Sequence, residues 1–393
     1  MLKTILLLVG RRAAAVILAA GVSFAPVACQ RATAPQAAQP TKAPPVTPAG
    51  VTEAMASLYA ASEAMGMVVA VVDGDSVRAQ GFGRMGPKDP RTPDGRTLVR
   101  LQSISKLFSS DLLATLVAQG KLRLDDPLQA HAPPGDVVPQ PRNGPPITLL
   151  SLATHTSGLP REAGIDPPPP DEAIAARWAW LVRERGRPAP GRQALYSNIG
   201  FELLGDALAS ATGRSYDDAL DTAVTGPLGL VDTTAKPTAE ECARLMSPDL
   251  RRGSYPCIDQ TPEAASGGLY STADDMALWM RAQLAAGRVG PARGISQAVY
   301  VRRDALARAV GLDHAGPASG IGLAWIEEQP DDTHPRILEK TGGGDGFLTY
   351  IVIDPVRRIG IFVAFNNERG HRLPIVARDA NVLVGKLGAG RGV

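Results

Sequence analysis

The chain has 393 residues, 44% of them hydrophobic, with 41 Lys plus Arg against 39 Asp plus Glu. That length and apolar share suit a folded core in two structural units, or one core carrying a large insertion, and exclude a mostly disordered chain, a collagen or a coiled coil. A formal charge of +2 lacks the basic surplus of a nucleic-acid binder. Five His and three Cys, no two at zinc-ligand spacing, argue against a metal-driven mechanism, and no cofactor is expected.

Residues 1–28 read as a secretory signal: Lys3, Arg11 and Arg12 with no acid, then an apolar run from Ala13 to Phe24. The run is too short for the roughly 20 residues of a membrane span. Pro26-Val27-Ala28-Cys29 resembles a bacterial lipoprotein cleavage site, with Pro26 where Leu is usual, so Cys29 is a candidate for lipidation and membrane tethering. Arg11-Arg12 matches a twin-arginine signal only weakly. Residues 29–50 are rich in Pro and Ala and read as a linker. Cleavage removes three basic residues and leaves 38 against 39 acidic ones. An exported protein, periplasmic in a bacterium, is expected.

Helical periodicity follows from Val51 to Gly66, which is expected to stop the helix. Met67–Val72 and Val77–Phe82 read as strands joined by an Asp73-Gly74-Asp75 turn. The middle of the chain reads as helices: Ser105–Gln119, Leu149–Thr154, Asp171–Glu184, Phe201–Thr212, Tyr216–Val224 and Thr272–Ala285. Strand patterns return at Gly322–Glu327, Arg336–Lys340, Phe347–Ile353 and Ile359–Phe365, before a last helix at Leu373–Leu387. The economical architecture is a mixed α/β (α+β) fold. Residues 51–100 and 262–393 form an antiparallel sheet flanked by terminal helices, with residues 101–261 as an inserted helical domain. Cys242 and Cys257, in an oxidising compartment, would pair and close a short loop worth about 3 kcal/mol; two separate buried thiols are the alternative.

Three short motifs carry chemistry. Only eight of the 41 basic residues are Lys, and Lys, unlike Arg, can lose its proton. Two of the eight fall inside these motifs. Ser103-Ile104-Ser105-Lys106 stands at a helix start, where Lys106 one turn on can reach the Ser103 hydroxyl and serve as the base a Ser nucleophile needs. The same helix start offers backbone N–H groups to an oxyanion. Tyr196-Ser197-Asn198 supplies a proton-relaying hydroxyl, and an amide able to hold substrate while contacting Lys106. Lys340-Thr341-Gly342, at a strand end and followed by Gly343, can bind a carboxylate and admit close backbone approach. Each motif alone also fits an ordinary cap, core Tyr or strand end. Their order and context give them weight together.

With PITLLSLATHTSGLP (146–160), YSNIGFELLG (196–205), GPLGLVDTT (226–234) and GGLYSTADDMALWM (267–280), these motifs resemble the serine β-lactamase and penicillin-binding protein superfamily, class C branch, over residues 55–385. Flanking segments such as EKTGGGDGFLTYIVIDPVRRIGIFV are similar to its AmpH-type D-alanyl-D-alanine carboxypeptidase/endopeptidase group, which also has two cysteines resembling Cys242 and Cys257. The resemblance implies Ser103 as the acylated nucleophile, Lys106 and Tyr196 as the proton-transfer pair with the base unassigned, and Asn198 on the substrate amide. It implies Lys340, Thr341 and Gly342 at the substrate carboxylate, and an oxyanion hole from the N–H groups of Ser103 and Gly343. His155 is expected to be structural. The function expected is a serine DD-peptidase on peptidoglycan peptides that also binds β-lactams. A class C β-lactamase, an esterase or D-aminopeptidase, and a catalytically silent binding module are the alternatives.

Overall fold

A computed structural model describes residues 47–141, 144–166, 168–185, 187–248, 256–285, 290–367 and 370–389. The signal segment, Cys29 and most of the linker lie outside them. Thr47 caps the first helix, α1 (Pro48–Ser62), by accepting the Gly50 N–H, and Pro48 needs no partner in a first turn. The helix therefore starts inside the segment read as linker. It ends with Glu63 in the left-handed conformation, φ 50°, rather than at Gly66. Gly66 instead opens a strand, where an added Cβ would lie 2.3 Å from the Arg84 carbonyl oxygen.

Eight strands form one antiparallel sheet: β1 (Gly66–Asp73), β2 (Ser76–Gly83), β3 (Val299–Arg302), β4 (Gly320–Gly322), β5 (Ile326–Glu328), β6 (Ile337–Gly344), β7 (Phe347–Asp354) and β8 (Ile359–Asn366). Their order is β2-β1-β8-β7-β6-β5-β4-β3. The two ends of the chain meet where β1 pairs with β8, Val69 opposite Val363, as the strand patterns at both ends led one to expect.

Both faces of the sheet are covered, which is why β1, β7 and β8 are apolar almost throughout. On the back, Met67, Val69 and Val71 pack with α1 and the C-terminal helix Leu373–Gly388. On the front, Val68, Ala70 and Val72 belong to the larger core with the helix α2 (Ser105–Ala118) and the helix Ala273–Gln283. Asp111 of α2 ties this core together. It accepts hydrogen bonds from Trp279 Nε1 at 2.9 Å, Gln283 Nε2 at 2.5 Å and Ser296 Oγ at 2.6 Å. Its carboxyl is nonetheless pushed up to about 6 by burial. A second helix important to the site, α3 (Asn198–Thr212), is capped by Ser197, whose Oγ accepts the Gly200 N–H at 2.9 Å.

Two expectations about strands need correction. Gly322–Glu327 is not one strand: β4 and β5 are separate arms of a tight turn, with Ala324 at φ 59° and its N–H bonded to the Ala153 carbonyl. The turn residues Leu323, Ala324 and Trp325 are buried and apolar, so the segment carries no turn-like composition. The strand read as Arg336–Lys340 runs to Gly344, which puts Lys340 mid-strand. Pairing with β5 covers only Ile337–Glu339, so from Lys340 onward β6 still presents an open edge. Short strands pair Leu98–Arg100 with Tyr270–Thr272 and Gln193–Leu195 with Arg308–Val310, and were not expected. Neither was the helix Pro291–Ser296. Cys242 and Cys257 form a disulfide. Among the described residues no helix is long and apolar enough to cross a membrane.

Candidate active site

Ser103 lies in a single 3₁₀ turn, Gln102–Ile104, directly before α2. Gln102 has φ 53°, a strained conformation for a side chain other than Gly. It is held by a hydrogen bond from Gln102 Nε2 to the Gly344 carbonyl at 3.0 Å. The open edge of β6 packs against this turn, and Gly342 is what permits it. A Cβ there would stand 2.2 Å from Thr349 Oγ1 and 2.8 Å from the Leu101 carbonyl oxygen. Arg100 completes the clamp by pairing with Asp345 at 2.8 Å and donating to the Pro256 carbonyl at 2.7 Å. Ser103 and Gly343 thus line the same two cavities.

Tyr196 reaches the nucleophile. Its hydroxyl donates to Ser103 Oγ at 2.5 Å. The ring is wedged between His155, with centroids 4.5 Å apart, and three basic groups: Lys106 Nζ at 4.9 Å, the Arg161 guanidinium at 4.9 Å and Lys340 Nζ at 5.0 Å from its centre. His155 Nδ1 accepts the Ser197 N–H at 3.0 Å, which places its proton on Nε2. Burial, then Lys340 and Lys106, hold the ring neutral, well below the usual range for His. His155 orients the Tyr196-Ser197 backbone and does not touch Ser103.

Lys106 is fully buried. The spacing argument brings its amine to Ser103, but the structure gives it other acceptors: Asn198 Oδ1 at 2.7 Å and the Ser266 carbonyl. Burial lowers its pKa to about 7, with Glu202 acting in the opposite sense. Lys106 therefore gives up its proton near neutrality. Asn198 Nδ2 in turn donates to Glu162 Oε1 at 2.6 Å. Glu202, one turn further along α3, accepts from Ser266 Oγ at 3.1 Å and lies 3.8 Å from Arg177. Its carboxyl is raised to about 7, chiefly by burial.

The three motifs converge on one cleft with two lobes. The helix-side lobe, about 280 Å³, is polar and holds Glu162, Glu202, Glu263 and Asp345. The strand-side lobe, about 250 Å³, is bordered by Arg161, His314 and Thr341 and by no acidic residue. Among the described residues no cluster of His, Cys, Asp and Glu could hold a metal ion. Arg100, Gln102, Glu162, Glu202, Ser266 and Asp345 are absent from the sequence reading. Ser266 contributes a backbone carbonyl, for which no residue type is a signal. Arg100 and Gln102 could have been suspected from flanking Ser103.

Known proteins resemble the chain over most of its length. The profile of the Beta-lactamase family matches residues 51–386. The chain is 37% identical over 372 residues to the D-alanyl-D-alanine-carboxypeptidase/endopeptidase AmpH of Escherichia coli K12, covering 93% of this chain and 96% of that protein. It is 28% identical over 316 residues to a beta-lactamase of the same organism, covering 73% and 80%. A crystal structure of a beta-lactamase/D-alanine carboxypeptidase from Yersinia pestis superimposes with a TM-score of 0.80 at 37% identity, covering 87% of this chain and 99% of that one.

Proposed function

Because the chain belongs to the beta-lactamase family, we propose that it is a serine DD-carboxypeptidase/endopeptidase that cleaves D-alanyl peptides of peptidoglycan through an acyl-enzyme and is itself acylated by β-lactams. The observation that carries this reading is the 2.5 Å contact between Tyr196 Oη and Ser103 Oγ above a buried Lys106. The 37% identity to a D-alanyl-D-alanine carboxypeptidase/endopeptidase over nearly the whole chain supports the choice of substrate.

In this mechanism Ser103 Oγ attacks the carbonyl carbon of the scissile amide; its proton passes to Tyr196 Oη while the proton of the Tyr196 hydroxyl moves on to the neutral amine of Lys106. Burial, which lowers the Lys106 pKa to about 7, leaves that amine able to take it. The N–H groups of Ser103 and Gly343 receive the negative oxygen of the tetrahedral intermediate, a contribution of about 3 kcal/mol per donor. Tyr196 then gives a proton to the leaving amine and recovers one from Lys106, and the C–N bond breaks. Water then attacks the ester carbon, its proton is taken up through Tyr196, and a proton returns through Tyr196 to Ser103 Oγ as the ester C–O bond breaks. Asn198 holds the substrate amide, while Lys340 and Thr341 take its carboxylate.

The reaction belongs outside the cytoplasm. A basic, apolar N-terminus with a Pro/Ala-rich stretch behind it supports export, and the Cys242–Cys257 disulfide suits an oxidising compartment. In this reading Cys29 carries a lipid tether, which the mass of the mature N-terminus tests.

The function is tested by giving the mature protein a fluorescent penicillin and a D-Ala-D-Ala pentapeptide in parallel. A lasting adduct on Ser103 with release of D-Ala is expected, and Ser103→Ala removes both. Rapid penicillin hydrolysis without D-Ala release would make the protein a β-lactamase instead.

A further inference from the structure

Lys340 is only 3% exposed, yet among the described residues no oxygen accepts a hydrogen bond from its ammonium; its near neighbour is the Tyr196 ring. An ammonium on a buried side chain that opens onto the cleft without a protein acceptor is placed to take one from a ligand. The strand-side lobe brings two further groups to the same place. Arg161 is anchored through its backbone, whose carbonyl accepts the N–H groups of Asn198 at 2.8 Å and Ile199 at 3.3 Å, and its partly exposed guanidinium lies over the Tyr196 ring, 4.9 Å from its centre. Glu162 is 3.7 Å from Arg161, but the same carboxylate oxygen is engaged by Asn198. His314 reaches the lobe from the loop between the strand Arg308–Val310 and β4. Burial, then Lys340 and Arg161, lower its pKa, so at neutral pH it presents a ring N–H. The adjacent Asp313 is occupied by the Ala318 N–H at 2.9 Å.

We propose that Arg161 and His314 complete, with Lys340 and Thr341, a composite anion subsite on the strand side of Ser103, which selects substrates whose leaving group carries a free carboxylate beside the scissile amide. This rests on the acyl-transfer reading above. It deepens that reading by giving the lobe a substrate group to recognise: the carboxylate that a terminal D-amino acid presents. An uncharged peptide amide would leave Lys340 without an anion and Arg161 without its ligand. Arg161 also stands where the two lobes meet, so the carboxylate it holds is placed within reach of the bond being cut.

The test compares two pairs of compounds on the wild-type protein, Arg161→Gln, Arg161→Lys and His314→Gln. One pair is an acyl-D-Ala-D-Ala peptide and its C-terminal amide, read as kcat/KM. The other is benzylpenicillin and its methyl ester, read as the rate of Ser103 acylation by intact mass. Wild type is expected to prefer the free acid in both. Arg161→Gln should reduce the acid-to-amide ratio about fivefold, the order of one partly exposed charge contact. Arg161→Lys should restore most of it, and His314→Gln should reduce it about twofold, the share of one neutral hydrogen bond. A merely structural role would lower both members of a pair equally. An unchanged ratio in Arg161→Gln overturns the subsite. Should the protein acylate with penicillin but cleave neither peptide, the proposed peptidase falls, while the penicillin pair still decides the subsite.

Discussion

The cleft buries two lysines, one from the helix side and one from the strand side, and treats them oppositely. Lys106 sits under Ser103 with two oxygen acceptors, Asn198 Oδ1 and the Ser266 carbonyl. Lys340 sits beside the open edge of β6, with an aromatic ring and no acceptor among the described residues. Burial lowers the pKa of both. Only Lys106 is furnished with fixed partners that hold it in place through a proton transfer. Lys340 is left in need of an anion. The difference separates a group that moves charge from a group that binds it, although the two are the same residue type at similar depth.

Removing each lysine is the sharpest way to break that comparison. Lys106→Ala should reduce acylation of Ser103 about a thousandfold for every acyl donor, charged or neutral, since a proton-transfer partner is typically worth two to four powers of ten. Stopped-flow acylation with a fluorescent penicillin checks it. Residual activity within tenfold of wild type would show that Lys106 is a structural support. Lys340→Ala should lower kcat/KM about thirtyfold, and only for substrates with a free carboxylate, as expected for the loss of one charge-assisted hydrogen bond. If both variants lose activity uniformly across substrates, the two lysines do the same work and the contrast is false.

A smaller effect should follow from spoiling the contact between the two sides. Gly342→Ala places a methyl group 2.2 Å from Thr349 Oγ1 and 2.8 Å from the Leu101 carbonyl oxygen, so β6 and the Ser103 turn must separate. The expected destabilisation is about 2 kcal/mol, in the range of core overpacking, with slower acylation because Gly343 moves with the strand. Thermal unfolding and acylation measured together check this, and a stable variant with wild-type acylation would refute the proposed close packing.

The sequence was most readable where one residue type does a job no other can do. Ser103, Lys106, Tyr196 and Lys340 stand out by type and spacing, and the structure gathers all four around one cleft. The sheet was legible too where strands are long and bracketed by turns, as with β1 and β2 or β7 and β8. It was illegible at β4 and β5, where Leu323, Ala324 and Trp325 turn the chain with buried apolar residues. The partners of Lys106 escaped for another reason. The Ser266 carbonyl has no side-chain signature, and it comes from 160 residues away in the chain. Glu202 looked like an ordinary polar position on α3, because nothing in the sequence shows that Arg177 and Ser266 pack over it.

Glu202 provides the finest test of how the helix side works. Lys106 must be neutral to assist proton removal, so acylation should rise with pH through about 7, where burial has placed its proton. Burial dominates that shift, and the Glu202 charge opposes it by favouring the protonated amine. Glu202→Gln keeps an oxygen for Ser266 Oγ and leaves Arg177 with both oxygens of Asp206, at 2.7 and 2.8 Å. The substitution should therefore remove charge with little disturbance of packing. With that charge gone the ammonium form of Lys106 loses support, its pKa falls, and the acid limb of the acylation profile should move to lower pH. At pH 7, where the Glu202 carboxyl and the Lys106 amine both titrate, the variant should then acylate faster than wild type; near pH 5.5, where Glu202 is itself protonated, and above pH 8 the two should converge. Single-turnover acylation between pH 5 and 8.5 measures this. A limb that stays in place would mean Glu202 does not act on Lys106, and a limb that moves upward would mean the acid limb belongs to another group.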